Sequence, residues 1–447
     1  MEAVLPELER ETSELLSQLI QIDTSNPPGN ETAVAESMAG WFARHGLKGE
    51  IVGTPVDRAS YVLRLEGRQP GPSLLLLSHE DVVPANASDW QVPPFSGLIR
   101  DGYVWGRGAT DIKNLVAANA VALTRLAAAG APFAGTVTYA CTADEERLNG
   151  GGIRWLLENR PDLVCCDYVL NEGDSAFTQR GDRRVFLLQS GEKGAAQFRI
   201  VVRGEAGHAS MPLRRGSAVL AAARVIEALA TRDLPVAIDE ASRDIVELLL
   251  DDRDLRERFR DVGQTRAALA CLAELDTRLA DRLEPLCGTT LAPTIVRSNS
   301  ESVNMHPTEV VVSVDCRTPV GRTPGDAEAE VRAALDGIEA DWDLQWINAI
   351  EGTASPYPTV LSDAVCAVLQ RHVPDSDLGH DHSVGFTDAH WLRASCPGVV
   401  AYNFAPYVEE CYSEVIARPH NVDERIHVRD LAFQAFFAEQ VALELLQ

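Results

Sequence analysis

Three short apolar runs along the chain each end on side chains that bind metals. Residues 73–77 lead into Ser78-His79-Glu80-Asp81, residues 136–141 lead toward Asp144-Glu145-Glu146, and residues 167–170 lead into Asn171-Glu172-Gly173. Leucine-rich or β-branched runs bounded by polar clusters read as buried strands of a parallel sheet. Sheets of that kind bind ligands just beyond the carboxyl ends of their strands. One rim is therefore predicted to gather an imidazole and several carboxylates, the equipment of a metal-dependent enzyme.

The pattern around these runs completes an α/β domain. Helical periodicity covers residues 5–22, a loop of strong breakers follows at 23–30, and a second helix spans 31–45. A strand at 61–65, a short hairpin at 98–105 within a long loop, and an alanine-rich helix at 112–129 come next. The expected architecture is a mixed, mostly parallel sheet with helices on both faces. From residue 191 the order changes to strand 195–202, helix 217–230, strands 290–298 and 309–316, helix 326–338 and strand 342–350. That β-α-β-β-α-β order is a ferredoxin-like unit, interrupted by an acidic helical excursion at 239–286. The first pattern resumes near residue 356 and ends in a helix at 428–446. Residues 1–190 with 353–447 are thus expected to form one domain, and 191–352 an inserted one.

Size and charge narrow the classes of function. A chain of 447 residues exceeds one ordinary core, which agrees with two domains. A net charge of −26 opposes nucleic acid and anionic lipid alike. No apolar stretch reaches the ~20 residues of a membrane span. The acidic start, with Glu2, Glu7, Glu9 and Glu11, is unlike a secretory signal. The nine cysteines are scattered without a C-x-x-C pair, which predicts reduced thiols. A cytoplasmic location is the resulting expectation.

Each candidate residue has a plain reading and a chemical one. His79 and Asp81 lie two apart, on one side of an extended backbone, and a ligating His usually donates its second ring nitrogen to an acceptor such as this carboxylate. The same pair would also suit an ordinary strand-to-loop turn. Adjacent Glu145 and Glu146 repel unless a cation or proton divides their roles. A divalent cation acidifies water from ~15.7 toward ~7, so a nearby carboxylate can serve as the base. The glycine triplet 150–152 after them lets backbone pass close. Asp111 reads equally as a helix N-cap or as a carboxylate shared by two cations. Glu172 and His420 are ambiguous singly. Together these residues offer two imidazoles and enough carboxylates for two divalent cations with room for substrate.

Ser78-His79-x-Asp81-Val82-Val83-Pro84, Gly106-Arg107-Gly108-x-x-Asp111-x-Lys113, Asp144-Glu145-Glu146 and Asn171-Glu172-Gly173 form a linked series. It continues through Gly191-Glu192-Lys193-Gly194, Gly204-x-x-Gly207-His208-Ala209-Ser210-x-Pro212, Asp315-Cys316-Arg317, Thr387-Asp388-Ala389 and Pro419-His420. Over nearly the whole chain it resembles the co-catalytic zinc hydrolases that include aminoacylase, bacterial glutamate carboxypeptidase, acetylornithine deacetylase, succinyl-diaminopimelate desuccinylase and the dipeptidases.

The resemblance implies that Asp111 bridges two cations, with His79 and Glu172 completing one shell and Glu146 and His420 the other. It makes Glu145 the general base for a water shared by the cations, and Asp81 the residue that orients His79. It implies a cis peptide at Asp111–Ile112. His208 would stabilise the oxyanion, from the partner subunit of a homodimer or in cis under an enlarged lid. Arg317 and Asn304 would hold a substrate carboxylate, although Asn304-Met305-His306-Pro307 departs from the family's usual Asn-Val-Ile-Pro. Residues 191–352 would be the lid and dimerisation domain. His380 and His382 are read as a polar loop rather than a third metal site, and His306, His372, His390 and His427 as structural or surface residues.

The function expected is hydrolysis of an amide bond in a small peptide or N-acyl amino acid with a free carboxylate. Two divalent cations per subunit are implied, zinc ahead of cobalt or manganese. No nucleic acid or membrane partner is expected. A narrow biosynthetic deacylase, of desuccinylase or deacetylase type, is the alternative within enzymes. A non-catalytic metabolite-binding protein on the same fold is the alternative outside them. A dinucleotide-binding Rossmann domain is disfavoured because no G-x-G-x-x-G opens a helix after the first strand.

Overall fold

The computed structural model describes residues 4–54, 58–147, 150–173 and 175–447. The chain divides into two compact units, one of residues 1–190, 355–381 and 387–447, the other of 191–354 and 382–386.

The first unit is built on a mixed sheet. Its strand order is Glu50–Thr54, Arg58–Glu66, Ala134–Thr142, Gln69–His79, Tyr168–Asn171, Val400–Asn403, Arg183–Glu192, Ala176–Arg180 and Tyr407–Cys411. The four strands from Ala134–Thr142 to Val400–Asn403 run parallel, Arg58–Glu66 is antiparallel to Ala134–Thr142, and Glu50–Thr54 is antiparallel to Arg58–Glu66. Side chains alternate faces along a strand, and the central leucines follow that rule. Leu74 and Leu76 enter one core, with helices Leu5–Ile20, Lys113–Ala128, Val360–His372 and Val428–Leu445. Leu75 and Leu77 enter another, with helices Gly152–Asn159 and Ala389–Ser395. An unbroken leucine run is what a strand covered on both faces requires. The Lys113–Ala128 helix is buried almost all round, against the sheet and against Leu5–Ile20 and Val428–Leu445. Its alanines at 117, 118, 120 and 122 keep those neighbours close.

The parallel register fixes where the polar ends fall. His79 pairs with Thr142, and Asn171 pairs with Asn403, so the strands finish together at one rim. Asp144 and Glu172 stand just past that line.

The second unit has the ferredoxin-like order. Its antiparallel sheet runs Thr290–Ser298, Glu309–Thr318, Phe198–Arg203 and Asp341–Trp346, with helices Ala218–Thr231 and Pro324–Ala334. Val310, Val312, Val314 and Cys316 alternate into a core with Ala222, Val225 and Val331. The excursion consists of helices Glu240–Leu249, Arg253–Phe259, Thr265–Leu275 and Thr277–Leu283, with Leu249, Phe259, Leu272 and Leu283 buried. Part of its acidity has a structural use: Asp239, Asp252 and Asp276 each cap a helix by accepting from a first-turn N–H.

Several details differ from the sequence expectations. The strand expected at 342–350 stops at Trp346, and strands Ala176–Arg180 and Arg183–Glu192 were not foreseen. The 98–105 hairpin gains a third strand, Arg425–His427, from the far end of the chain. The expectation of nine reduced thiols is corrected at one pair, because Cys165 and Cys396 form a disulfide with Cα atoms 5.7 Å apart. They lie 231 residues apart in sequence, just ahead of the adjacent strands Tyr168–Asn171 and Val400–Asn403. Disulfides are a feature of oxidising surroundings, so the cysteine argument for a reducing compartment is withdrawn. No helix among the described residues is long and apolar enough to cross a membrane.

Candidate metal centre

His79 is the last residue of its strand and is 1% exposed, so its ring cannot turn to water. Nδ1 lies 3.0 Å from the Asp81 carbonyl oxygen and 3.5 Å from Asp81 Oδ1. With Nδ1 donating to those oxygens, Nε2 is the free lone pair of the neutral ring. That atom is buried without a hydrogen-bond partner. It faces Asp111 Oδ1 at 3.3 Å, Glu172 Oε2 at 3.6 Å and Glu145 Oε2 at 3.8 Å.

The other oxygen of Asp111 turns to a second imidazole. His420 Nε2 lies 3.1 Å from Asp111 Oδ2 and 3.1 Å from Glu146 Oε2. Asp111 thus addresses one His with each oxygen. Two groups of potential ligand atoms fall within 4.8 Å of one another, His79 with Glu145 and Glu172, and His79 with Asp111 and Glu146. A buried imidazole nitrogen lacking a partner, ringed by carboxylates, fits a divalent cation; the donors are the nitrogen and oxygen set that zinc accepts.

Electrostatics describe the same crowding. Burial pushes Glu145 well above the usual carboxylate range against the pull of His79, with Glu172 and Glu146 adding repulsion. Burial likewise lifts Glu172 to about 7. Hydrogen bonding to Asp111 and Glu146 raises His420 to about 10. For Asp81, burial alone would raise the value, but hydrogen bonds from His79, Asn26 and the Glu145 N–H hold it below the usual range.

Asp81 does more than meet one imidazole. Its Oδ1 accepts from the Glu145 N–H and its Oδ2 from the Glu146 N–H, both at 3.1 Å, while Asn26 Nδ2 donates to Oδ2 at 2.8 Å. The preceding residue, Asp144, sits at φ +63, a conformation rare for a side chain with a Cβ. Asn26, Arg58 and the Gly151 N–H all donate to its carboxylate, at 2.9, 2.5 and 3.1 Å. The acid turn is thereby held from both sides. The Asp111–Ile112 peptide is cis.

His208, Asn304 and Arg317 belong to the second unit. His208 is exposed on a two-residue strand paired with Met305-His306, and its neighbour Ala209 donates to the Asn304 carbonyl at 3.0 Å. Ser210 N–H donates to His208 Nδ1 at 3.2 Å. Nδ1 is therefore an acceptor, and the neutral ring carries its proton on Nε2. Arg317 Nε donates to Asp315 Oδ2 at 3.0 Å, and its Nη1 is buried without a hydrogen-bond partner. His380 and His382 lie on the strand Ser376–Ser383 and not in the loop expected; His380 stacks on Tyr357 at 3.9 Å and His382 pairs with Asp239 at 3.1 Å, so both have structural duties.

Residues with clear structural work at the centre that sequence reasoning passed over are Asn26, Glu424 and Asp388. Asp388, noted only within a motif, accepts from Thr142 Oγ1 at 2.6 Å. Asn26 lay in a segment marked only as a loop, and a polar residue three positions ahead of Gly29 carries no local sign of a contact with Asp81 or Asp144.

The fold and this site define a metallohydrolase with a two-unit chain. Residues 75–444 match peptidase family M20/M25/M40, and the chain belongs to that family of metallopeptidases and amidohydrolases. It is 35% identical to a succinyl-diaminopimelate desuccinylase of Xanthomonas campestris pv. campestris (strain B100), over 80% of each chain. It is 29% identical to the human N-fatty-acyl-amino acid synthase/hydrolase PM20D1, over 95% of this chain and 86% of the relative. In fold it is similar to the M20 family metallo-carboxypeptidase Sso-CP2 of Sulfolobus solfataricus, with TM-score 0.73 and 17% identity over 97% of this chain and 99% of that one.

Proposed function

We propose that the protein hydrolyses the amide bond of a small peptide or N-acyl amino acid bearing a free carboxylate. The observation that carries this is the double approach of Asp111, whose oxygens lie 3.3 and 3.1 Å from the Nε2 atoms of His79 and His420. His79 and Glu172 would hold one divalent cation and Glu146 and His420 another, with Asp111 common to both. Zinc is the proposed ion, with cobalt or manganese as substitutes. Bound there, the cations would polarise a carbonyl and acidify water.

Glu145 is the proposed catalytic base. Its carboxylate lies beside the shared Asp111–His79 cluster, and its backbone is anchored on Asp81. It takes a proton from the attacking water and returns it to the departing nitrogen. Asp81 keeps His79 in the tautomer that presents Nε2. His208 would offer its Nε2–H to the oxyanion, and Arg317 with Asn304 would hold the substrate carboxylate.

We also propose a homodimer through the second unit. Thr290–Ser298 is an edge strand, with Ile295 46% and Val296 55% exposed. Exposed apolar edges invite pairing with another chain.

Metal-stripped protein reconstituted with zinc, cobalt or manganese, and screened on dipeptides and N-acyl amino acids, tests the proposal. Two ions per chain and chelator-sensitive amide hydrolysis are expected; activity indifferent to chelator would end it. The similarity to desuccinylases favours a second, narrower reading, and N-succinyl-diaminopimelate belongs in the screen. Turnover of that compound alone would select it.

A further inference from the structure

Glu424 is fully buried, four residues beyond His420, yet its carboxylate does not face the ligand cluster. It is filled instead by the loop that leads into Asp111. Oε1 accepts from the Thr110 N–H at 2.7 Å, the Thr110 hydroxyl at 3.1 Å and the Asp111 N–H at 3.1 Å. Oε2 accepts from Arg107 Nη1 at 2.7 Å and the Gly108 N–H at 3.1 Å. Gly108 at φ +88 and the cis bond after Asp111 belong to the turn that aims these donors inward.

The same loop also donates to backbone carbonyls of the segment that carries His420. Arg107 Nη2 donates to the His420 carbonyl at 3.3 Å, and the Gly106 N–H donates to the Glu424 carbonyl at 2.9 Å. The Arg425–His427 strand then adds to the 98–105 hairpin, with Arg425 opposite Trp105. The loop carrying Asp111 and the loop carrying His420 are therefore laced together by one carboxylate and one guanidinium. His420 needs such support, because it sits at φ +62 with its side chain 55% exposed. Neighbouring packing alone does not fix it.

We infer that Glu424, working with Arg107, is a positioning residue that sets the separation of Asp111 and His420 and thereby builds the cation site they share with Glu146. The inference rests on the proposed two-cation reading. Buried hydrogen-bond partners of ligands are typically worth about 10- to 100-fold in metal affinity. His79 and Glu172 are carried by other strand ends, so their site depends on Glu424 only through Asp111.

The alternative is that Glu424 merely holds the fold together. In that case its loss lowers stability and leaves the two sites in their original ratio. The isosteric Glu424→Gln separates these ideas. Its oxygen can still accept from Thr110 and Asp111, while its amide sets N–H groups against the Gly108 N–H and Arg107 donors.

The test is a Co2+ titration of metal-stripped Glu424→Gln, followed by calorimetry and by visible absorbance, which reports the geometry around each ion. One site is expected to weaken about 10- to 100-fold, with a changed spectrum for that ion, and the other by less than about three-fold. Equal affinities to wild type, or equal weakening of both sites, would overturn the inference. Should that variant not fold, Arg107→Lys keeps the charge but removes the contact to the His420 carbonyl, and the same two outcomes decide. Wild-type protein that takes up no pair of Co2+ ions would instead defeat the two-cation reading itself.

Discussion

Asp81 holds Glu145 by its backbone: the Glu145 N–H donates to Asp81 Oδ1 at 3.1 Å while the Glu145 carboxylate reaches toward His79. One buried carboxylate thus places both the proposed base and a proposed ligand. Asp81→Ala leaves the Glu145 and Glu146 N–H groups without their acceptor and leaves the His79 ring only the backbone carbonyl of residue 81. A fall of about 10- to 100-fold in metal affinity or activity is expected, the usual cost of losing such a partner. Measured kcat together with metal content checks it, and unchanged values in both would remove Asp81 from the site.

Glu145→Gln keeps the side chain's size and its anchored backbone but cannot accept the proton. A loss of about 10²–10⁴-fold in kcat is expected, the range for a general base. Metal content, read by elemental analysis, is expected to stay at the wild-type level. Loss of an ion would make Glu145 a ligand and not the base.

Gly152 has no room for a methyl group. It sits at φ +52, and a Cβ there would stand 1.8 Å from the Ala143 carbonyl oxygen. Gly152→Ala must therefore push the acid turn away from the strand end. A destabilisation of about 1–3 kcal/mol or more is expected from overpacking, with a parallel loss of activity. A urea midpoint equal to wild type would contradict the close approach.

In the second unit the His382–Asp239 pair gives a pH signature. Burial would raise Asp239, but hydrogen bonds from His382 and Ser242 hold it at about 2, below its ordinary 3.8. A depressed carboxylate adds stability that is present above its unfolded value and lost as the pH falls through the folded one. Asp239→Asn is thus expected to be less stable than wild type near pH 5. The margin should close between about pH 4 and 2. Urea midpoints across that range decide it, and a margin independent of pH would show that capping, not charge, carries the effect.

The Thr290–Ser298 edge gives an oligomeric one. Val296→Asp places a charge where Val296 is 55% exposed. A dimer paired along this edge is expected to become a monomer in sedimentation velocity, with metal content untouched. A variant that sediments as wild type does would move the interface elsewhere.

The fold was readable wherever burial leaves a periodic trace. The Leu74–Leu77 run announces a strand covered on both faces, and its polar end announces the rim. The ferredoxin-like order followed from alternation, as in Val310, Val312 and Val314. The residues the structure gathers at the rim were legible because each follows a strand end or a breaker at recognisable spacing. Asn26, Glu424 and the Cys165–Cys396 disulfide were not. Each is a contact between segments far apart in sequence, and nothing in a local window records it. The left-handed backbone of Asp144 left no sequence trace either, because the three donors to its carboxylate converge only after folding.

The first unit is discontinuous: its opening 190 residues precede the second unit, and residues 387–447, with His420 and Glu424, follow it. A nascent chain emerging from the ribosome would display His79, Asp111, Glu145, Glu146 and Glu172 for many seconds before the second imidazole is synthesised, at about 5–20 residues per second. During that interval the acidic rim lacks its clasp and bears its mutual repulsion alone. On the proposed two-cation reading, synthesis of the segment that carries His420, and not the local folding of the first half, is the event that completes the site.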